Sequence, residues 1–186
     1  MFVVFQKETN LTENALTNNI TTVKVRQPIA GPWTLTFDTA MGGYPLPVVS
    51  DSLQDWSTHA EPLVKYFSGT ATYTNQFQWN GELRSGTLAW LDLGAVANIA
   101  EVFVNEINCG ILWTAPFRAD ISKAVRPGKN MLRIEVTNTW ANRIAGDQQL
   151  PPEKRVTRTN APYRSSSDTL LKAGLTGPVV LEVNND

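Results

Sequence analysis

From Trp33 onward the chain reads in twos. Trp33, Leu35 and Phe37 alternate with Thr34, Thr36 and Asp38, and Ala71, Tyr73, Phe77 and Trp79 alternate with Thr70, Thr72, Thr74, Gln76 and Gln78. A strand turns successive side chains to opposite faces, so this alternation predicts strands buried on one side. Further strands are expected over 88–93, 99–105, 109–113, 117–121, 131–137 and 179–183, with Leu132, Ile134 and Val136 inward and Arg133, Glu135 and Thr137 toward water. Arg126-Pro127-Gly128-Lys129 has proline and glycine at the two central positions of a type II turn. No segment of a dozen residues carries a 3.6-residue stripe, which disfavours a parallel sheet with crossover helices. About eight short strands rich in Trp, Tyr, Phe and Thr predict an all-β fold, an antiparallel β-sandwich of jelly-roll type.

The first thirty residues differ. After an apolar burst from Phe2 to Phe5 the chain is polar and rich in Asn and Thr, with little to bury. The expected organisation is a strand remnant and linker over 1–30 and one domain over 31–186. Isolated Phe2-Val3-Val4-Phe5 needs a partner, in this sheet or in an upstream module.

Composition narrows the function. The chain has 186 residues, 42% hydrophobic, with 16 basic and 17 acidic side chains and a formal charge of -1. That length suits one substantial core. Without a block of like charge, neither nucleic acid nor an anionic membrane is an expected partner. One cysteine, Cys109, excludes an internal disulfide, and one histidine, His59, leaves no imidazole cluster. No metal site is therefore assigned, and oxygen-ligated structural calcium is the one metal chemistry left open. The apolar runs are too short to span a bilayer, and the start MFVVFQKE lacks the features of a signal peptide.

The run AWLDLGAVANIAEVFVNEINCGILWTAPFRADISKAVRPGKNMLRIEVTNTWANR is more specific. It resembles the sugar-binding jelly-roll domain of glycoside hydrolase family 2 and its relatives, in an LDLG element, AEVxVN, PFxxDIS and a GxNxLxIxVxN strand. The NxWxNRxxGD continuation and the GLTGPV ending look closest to the C-terminal region of family 106 α-L-rhamnosidase-like enzymes. The resemblance implies a galactose-binding-domain-like fold at the C-terminal end of a larger bacterial enzyme, periplasmic or extracellular, whose catalytic barrel lies upstream. It covers most of the chain. One departure is Glu106, which follows Asn105 where the family has glycine. A left-handed non-glycine residue costs about 1 kcal/mol, so a different turn is expected there.

Glycoside hydrolysis requires two carboxyl groups flanking one bond. Asp92, Glu101, Glu106, Asp120, Glu135, Asp147 and Glu153 are available, but none falls in a pairing motif, and Asp120 is expected to stabilise a turn. No catalytic residue is assigned, and a self-sufficient small glycosidase is the weakest alternative. Carbohydrate binding asks less: an aromatic face for a pyranose, with amides and charges for its hydroxyls. Asn138, Trp140, Asn142, Arg143 and Asp147 offer that chemistry within ten residues, and Trp113 sits at a strand end where it either roofs a pocket or plugs the sandwich. The same residues also read structurally, with Arg143 and Asp147 as an i, i+4 ion pair. Trp33, Trp79 and Trp90 are expected in the core and Trp56 beneath a docked loop. Arg155, Arg158, Tyr163 and Arg164, in a long irregular connection, either reach an acidic sugar or are solvated loop charge. The expectation is a non-catalytic carbohydrate-binding accessory domain that packs on a catalytic barrel. The alternative is a structural interdomain sandwich.

Overall fold

The computed structural model describes residues 25–81, 88–160 and 170–184. The Phe2–Phe5 burst, Tyr163 and Arg164 lie outside them. Twelve strands are seen among the described residues: β1 (Val25–Pro28), β2 (Trp33–Phe37), β3 (Val48–Ser50), β4 (Thr70–Trp79), β5 (Leu88–Asp92), β6 (Ala95–Ala97), β7 (Ile99–Val104), β8 (Ile107–Leu112), β9 (Arg118–Asp120), β10 (Gly128–Thr137), β11 (Gly174–Gly177) and β12 (Val180–Asn184). They form a six-stranded sheet in the order β3-β2-β4-β10-β7-β8, a four-stranded sheet β1-β12-β5-β9 and a small β11-β6 pair. All these ladders are antiparallel. The molecule is an all-β sandwich.

Period two decides what each strand buries. From β4 the larger sheet sends Ala71, Tyr73, Phe77 and Trp79 inward, and from β10 Leu132, Ile134 and Val136; the other sheet answers with Ala89, Leu91, Leu181 and Val183. The ten-residue β4–β10 ladder, from Gly128 opposite Trp79 to Thr137 opposite Thr70, is the spine. Around Trp56, the rings of Phe37, Phe67 and Tyr73 lie 5.5, 5.9 and 6.5 Å away. Trp56 thus docks its loop on the sheet, as expected. The Tyr73 hydroxyl, fully buried, accepts a hydrogen bond from the Leu175 amide at 2.9 Å and ties β11 to the core.

Several details differ from the sequence reading. Trp90 is half-buried on the outer side of β5, where the Arg118 guanidinium stacks 4.2 Å from its ring. Ala89 and Leu91 hold the inward positions, so alternation turns Trp90 out. Residues Val25–Pro28, within the stretch read as linker, pair with β12 as an edge strand. β8 begins at Ile107 and ends before Trp113, because the β7–β8 hairpin is tight.

That hairpin keeps the turn that Glu106 was expected to displace. Val104 pairs with Ile107, and Asn105 and Glu106 have φ of 50° and 63°, a two-residue primed turn. Contacts hold it against the backbone cost. Asn105 Oδ1 accepts from the Met131 amide at 3.0 Å, and Nδ2 donates to Ala124 O and Asn130 Oδ1, each at 2.8 Å. The Glu106 carboxylate meets Arg133 at 3.2 Å.

The turn before β10 follows the sequence expectation: Gly128 has φ of 88°, the left-handed value that a type II turn demands. It passes the chain from β9 in one sheet to β10 in the other. Asp120 stabilises its own turn, accepting from the Ser122 amide at 2.9 Å and hydroxyl at 2.6 Å.

Candidate functional site

The ten residues after β10 do not form an irregular loop. Asn138 stops the strand by clipping it to the segment before β4: Oδ1 accepts from the Gly69 amide at 2.9 Å and Nδ2 donates to Phe67 O at 3.0 Å. The chain then turns into helix α2 (Ala141–Asp147), with Trp140 at its N-cap position and 43% exposed. Helix α1 (Pro62–Lys65) lies nearby. A Cβ on Gly146 would come within 2.7 Å of Tyr66 Cβ and Cγ, so glycine is what lets α2 approach this closely.

One face of α2 is buried although it is polar. Asn142 is 3% exposed, Arg143 4% and Asp147 3%. Buried polar groups require partners, and these mostly have them in the protein. Asn142 clamps the Leu171 backbone, donating from Nδ2 to Leu171 O at 2.7 Å and accepting from the Leu171 amide at 2.9 Å. The Arg143 amide donates to Ser68 Oγ at 3.0 Å, and Nη2 donates to Gly42 O at 2.9 Å. Asp147 Oδ2 accepts from both the amide and the hydroxyl of Thr157, each at 2.6 Å. Burial lowers the Arg143 pKa from its ordinary value, and the Asp147 charge opposes that shift. Arg143 and Asp147 thus interact through charge, but their side chains form no direct ion pair. Arg143 Nε and Asp147 Oδ1 remain buried without a hydrogen-bond partner.

Two crevices meet at this helix. One, of about 440 Å³, lies between α2 and the segment 152–159, with Ile144, Asp147, Pro152, Arg155, Thr157 and Arg158 in its walls. The other, of about 420 Å³, lies toward α1 and includes Leu63, Lys65, Tyr66, Arg143 and Asp147. Both volumes suit a small ligand. Asp147 is the single acid in each wall.

Of the sequence-predicted residues, the structure gathers Asn138, Asn142, Arg143 and Asp147 around one helix and uses their polar atoms largely to build it. Trp140 stands exposed at its start. Trp113 does not plug the core: it is 74% exposed. One step beyond the Ala100–Leu112 pair, it falls in line with Ile99, which pairs with Thr137. It therefore shares the α2 end of the six-stranded sheet but lines neither crevice.

Glu101 and Glu135 face each other across β7 and β10, but on the outer face of the sheet. Glu101 accepts from Asn108 Nδ2 at 2.7 Å, and Arg133 bonds Glu135 while stacking 3.6 Å from the Phe103 ring. These acids flank no cleft. Among the described residues no three metal-ligating acidic, His or Cys side chains converge, and no helix is long and apolar enough to cross a membrane. The partners Ser68, Gly42, Leu171 and Thr157 carried no signal in the sequence, being distant from α2 or ordinary in type.

Residues 51–173 match the family described as glycosyl hydrolase 2 galactose-binding domain-like. A putative beta-glucuronidase of Formosa agariphila is 39% identical over 88% of this chain, which spans 16% of that protein. The rhamnosidase of Novosphingobium sp. PP1Y superposes with a TM-score of 0.82 and 37% identity over 97% of this chain and 17% of its own. The beta-glucuronidase of Ruminococcus gnavus, at 22% identity and a TM-score of 0.52 over 61% of this chain and 21% of its own, shares the fold. The chain therefore spans about a sixth of the first two relatives.

Proposed function

Because the chain belongs to the glycosyl hydrolase 2 galactose-binding domain-like family, we propose that it is a non-catalytic carbohydrate-binding accessory module of a larger, α-L-rhamnosidase-like glycoside hydrolase. The observation that carries this reading is the pair of crevices at α2, each of ligand size and each with a single acid in its wall. Neither crevice wall pairs two carboxyl groups, the arrangement that hydrolysis uses. Saccharide binding needs less: the Tyr66 and Lys65 side chains in one crevice wall offer donors for hydroxyls, and the Trp140 ring, exposed at the start of the same helix though in neither crevice wall, offers a face for pyranose C–H groups. Arg143 and Asp147 stand in the crevice walls, Asn138 and Asn142 hold the segment that carries them, and Trp113 lies in neither wall.

A second reading has its own observation. Ile99, Ile111 and Trp113 are 43%, 59% and 74% exposed along β7 and β8, and Glu101 opposite Ile111 shows that they share one region of the sheet. Such an apolar strip suits packing against a catalytic barrel, so a purely interdomain role remains the competitor. Calorimetric titration of the chain with rhamnosides and a panel of plant and algal oligosaccharides separates the two. Binding that falls at least tenfold in Trp140→Ala, without a change in melting temperature, supports a binding module. Absence of binding across the panel overturns it.

A further inference from the structure

The crevice between α2 and the segment 152–159 has an uneven charge. Arg155 and Arg158 both enter its walls, while Asp147 is the one acid. That acid is already engaged by Thr157 at two 2.6 Å hydrogen bonds and by the charge of Arg143 one turn back. Arg155 Nε donates to Leu150 O at 2.9 Å, which anchors its stem and leaves its terminal nitrogens without a partner among the described residues. The Arg158 guanidinium has no partner among them at all. Thr157, held through both its amide and its hydroxyl, fixes the backbone from which Arg158 projects.

Arg155 and Arg158 are exposed, form no ion pair among the described residues and share a crevice wall with a single acid, so an anion entering that crevice meets an excess of positive charge. A planar guanidinium fork matches the paired oxygens of a carboxylate or sulfate, which a neutral sugar lacks. Ile144 and Pro152 supply apolar surface in the same walls, suited to the C–H face of a ring. A volume of about 440 Å³ lies in the range of small-ligand sites.

We infer that this crevice selects an anionic saccharide, a uronate or a sugar sulfate ester, through Arg155 and Arg158. The inference rests on the reading of the chain as a carbohydrate-binding module and adds the charge of the ligand to it.

The test is calorimetry of the full chain at physiological salt with digalacturonate, its neutral methyl ester, a sulfated galactoside and inorganic sulfate. At least one acidic sugar binds at least tenfold more tightly than the ester. Arg155→Gln/Arg158→Gln removes that advantage, bringing the acidic sugar to the affinity of the ester, and preserves the melting temperature. If the double variant does not fold, Arg158→Gln alone carries the test, since its guanidinium has no partner among the described residues. Equal affinity for acid and ester overturns the charge selection and leaves the carbohydrate reading standing. Inorganic sulfate binding as tightly as the acidic sugars overturns the saccharide part of the inference. No binding by any probe overturns both this inference and the function on which it rests.

Discussion

Asn142 was legible as a sugar-binding amide, and the structure uses it otherwise, so replacing it by alanine is a sharp test. Asn142→Ala deletes the two hydrogen bonds to the Leu171 amide and carbonyl, 2.9 and 2.7 Å long. Each such bond contributes about 0.5–1.5 kcal/mol net. Leu171 is 54% exposed, so water reaches the released backbone groups and the full penalty for burying them unpaired does not apply. Alanine recovers ~0.5 kcal/mol of helix propensity at this second position of α2. The expected loss is about 1.5 kcal/mol. For a domain of this size each kcal/mol moves the midpoint by roughly 2–4 °C, which places the variant about 5 °C below wild type. Differential scanning calorimetry reads the shift, and calorimetric titration below the transition reads sugar affinity. The account expects the melting temperature to fall and the affinity to hold within about twofold. An unchanged melting temperature with lost affinity would refute it, because the amide would then be serving ligand.

Other perturbations probe other links. Tyr73→Phe leaves the buried Leu175 amide without its acceptor and is expected to cost about 1–3 kcal/mol, measured by urea denaturation. Burial holds the Tyr73 pKa above its ordinary 10.0. The unfolded chain therefore loses this proton first as pH rises, and stability is present below about pH 10 and declines above it; Tyr73→Phe flattens that alkaline limb in pH-dependent melting. Burial likewise raises the Cys109 thiol pKa, so iodoacetamide at pH 8 is expected to alkylate it more slowly than free cysteine, with the rate still climbing at higher pH. Gly146→Ala drives a methyl into Tyr66 and lowers the melting temperature by several degrees, at about 1–3 kcal/mol for overpacking.

The strands that alternate over five or more residues, such as β4 and β10, were legible because one buried face imposes period two on the sequence. β1, β3, β6 and β11 have three or four residues each, too few for a period to emerge. α2 escaped for a related reason: two turns give no stripe, and its buried face is polar, with Asn142, Arg143 and Asp147 where apolar residues were sought. Trp90 and Trp113 show the limit of residue type as a guide. Trp90 is expected in the core by hydrophobicity, but strand phase turns it out; Trp113 reads as either pocket roof or core plug, and a hairpin's length carries it past β8 to an exposed position. Glu106 shows the limit of local cost: a strained turn survives because Asn105 bonds three groups around it. The crevices were invisible because their walls come from residues near 63 and from 143–158, brought together only when α2 docks on Tyr66.

The most direct measurement is an amide shift map of the isotopically labelled chain during saccharide titration. Saturable shifts concentrated in residues 140–148 and 155–159 are the predicted result. Shifts confined to Ile99, Ile111 and Trp113, or none at saturating sugar, would contradict a binding site built around α2.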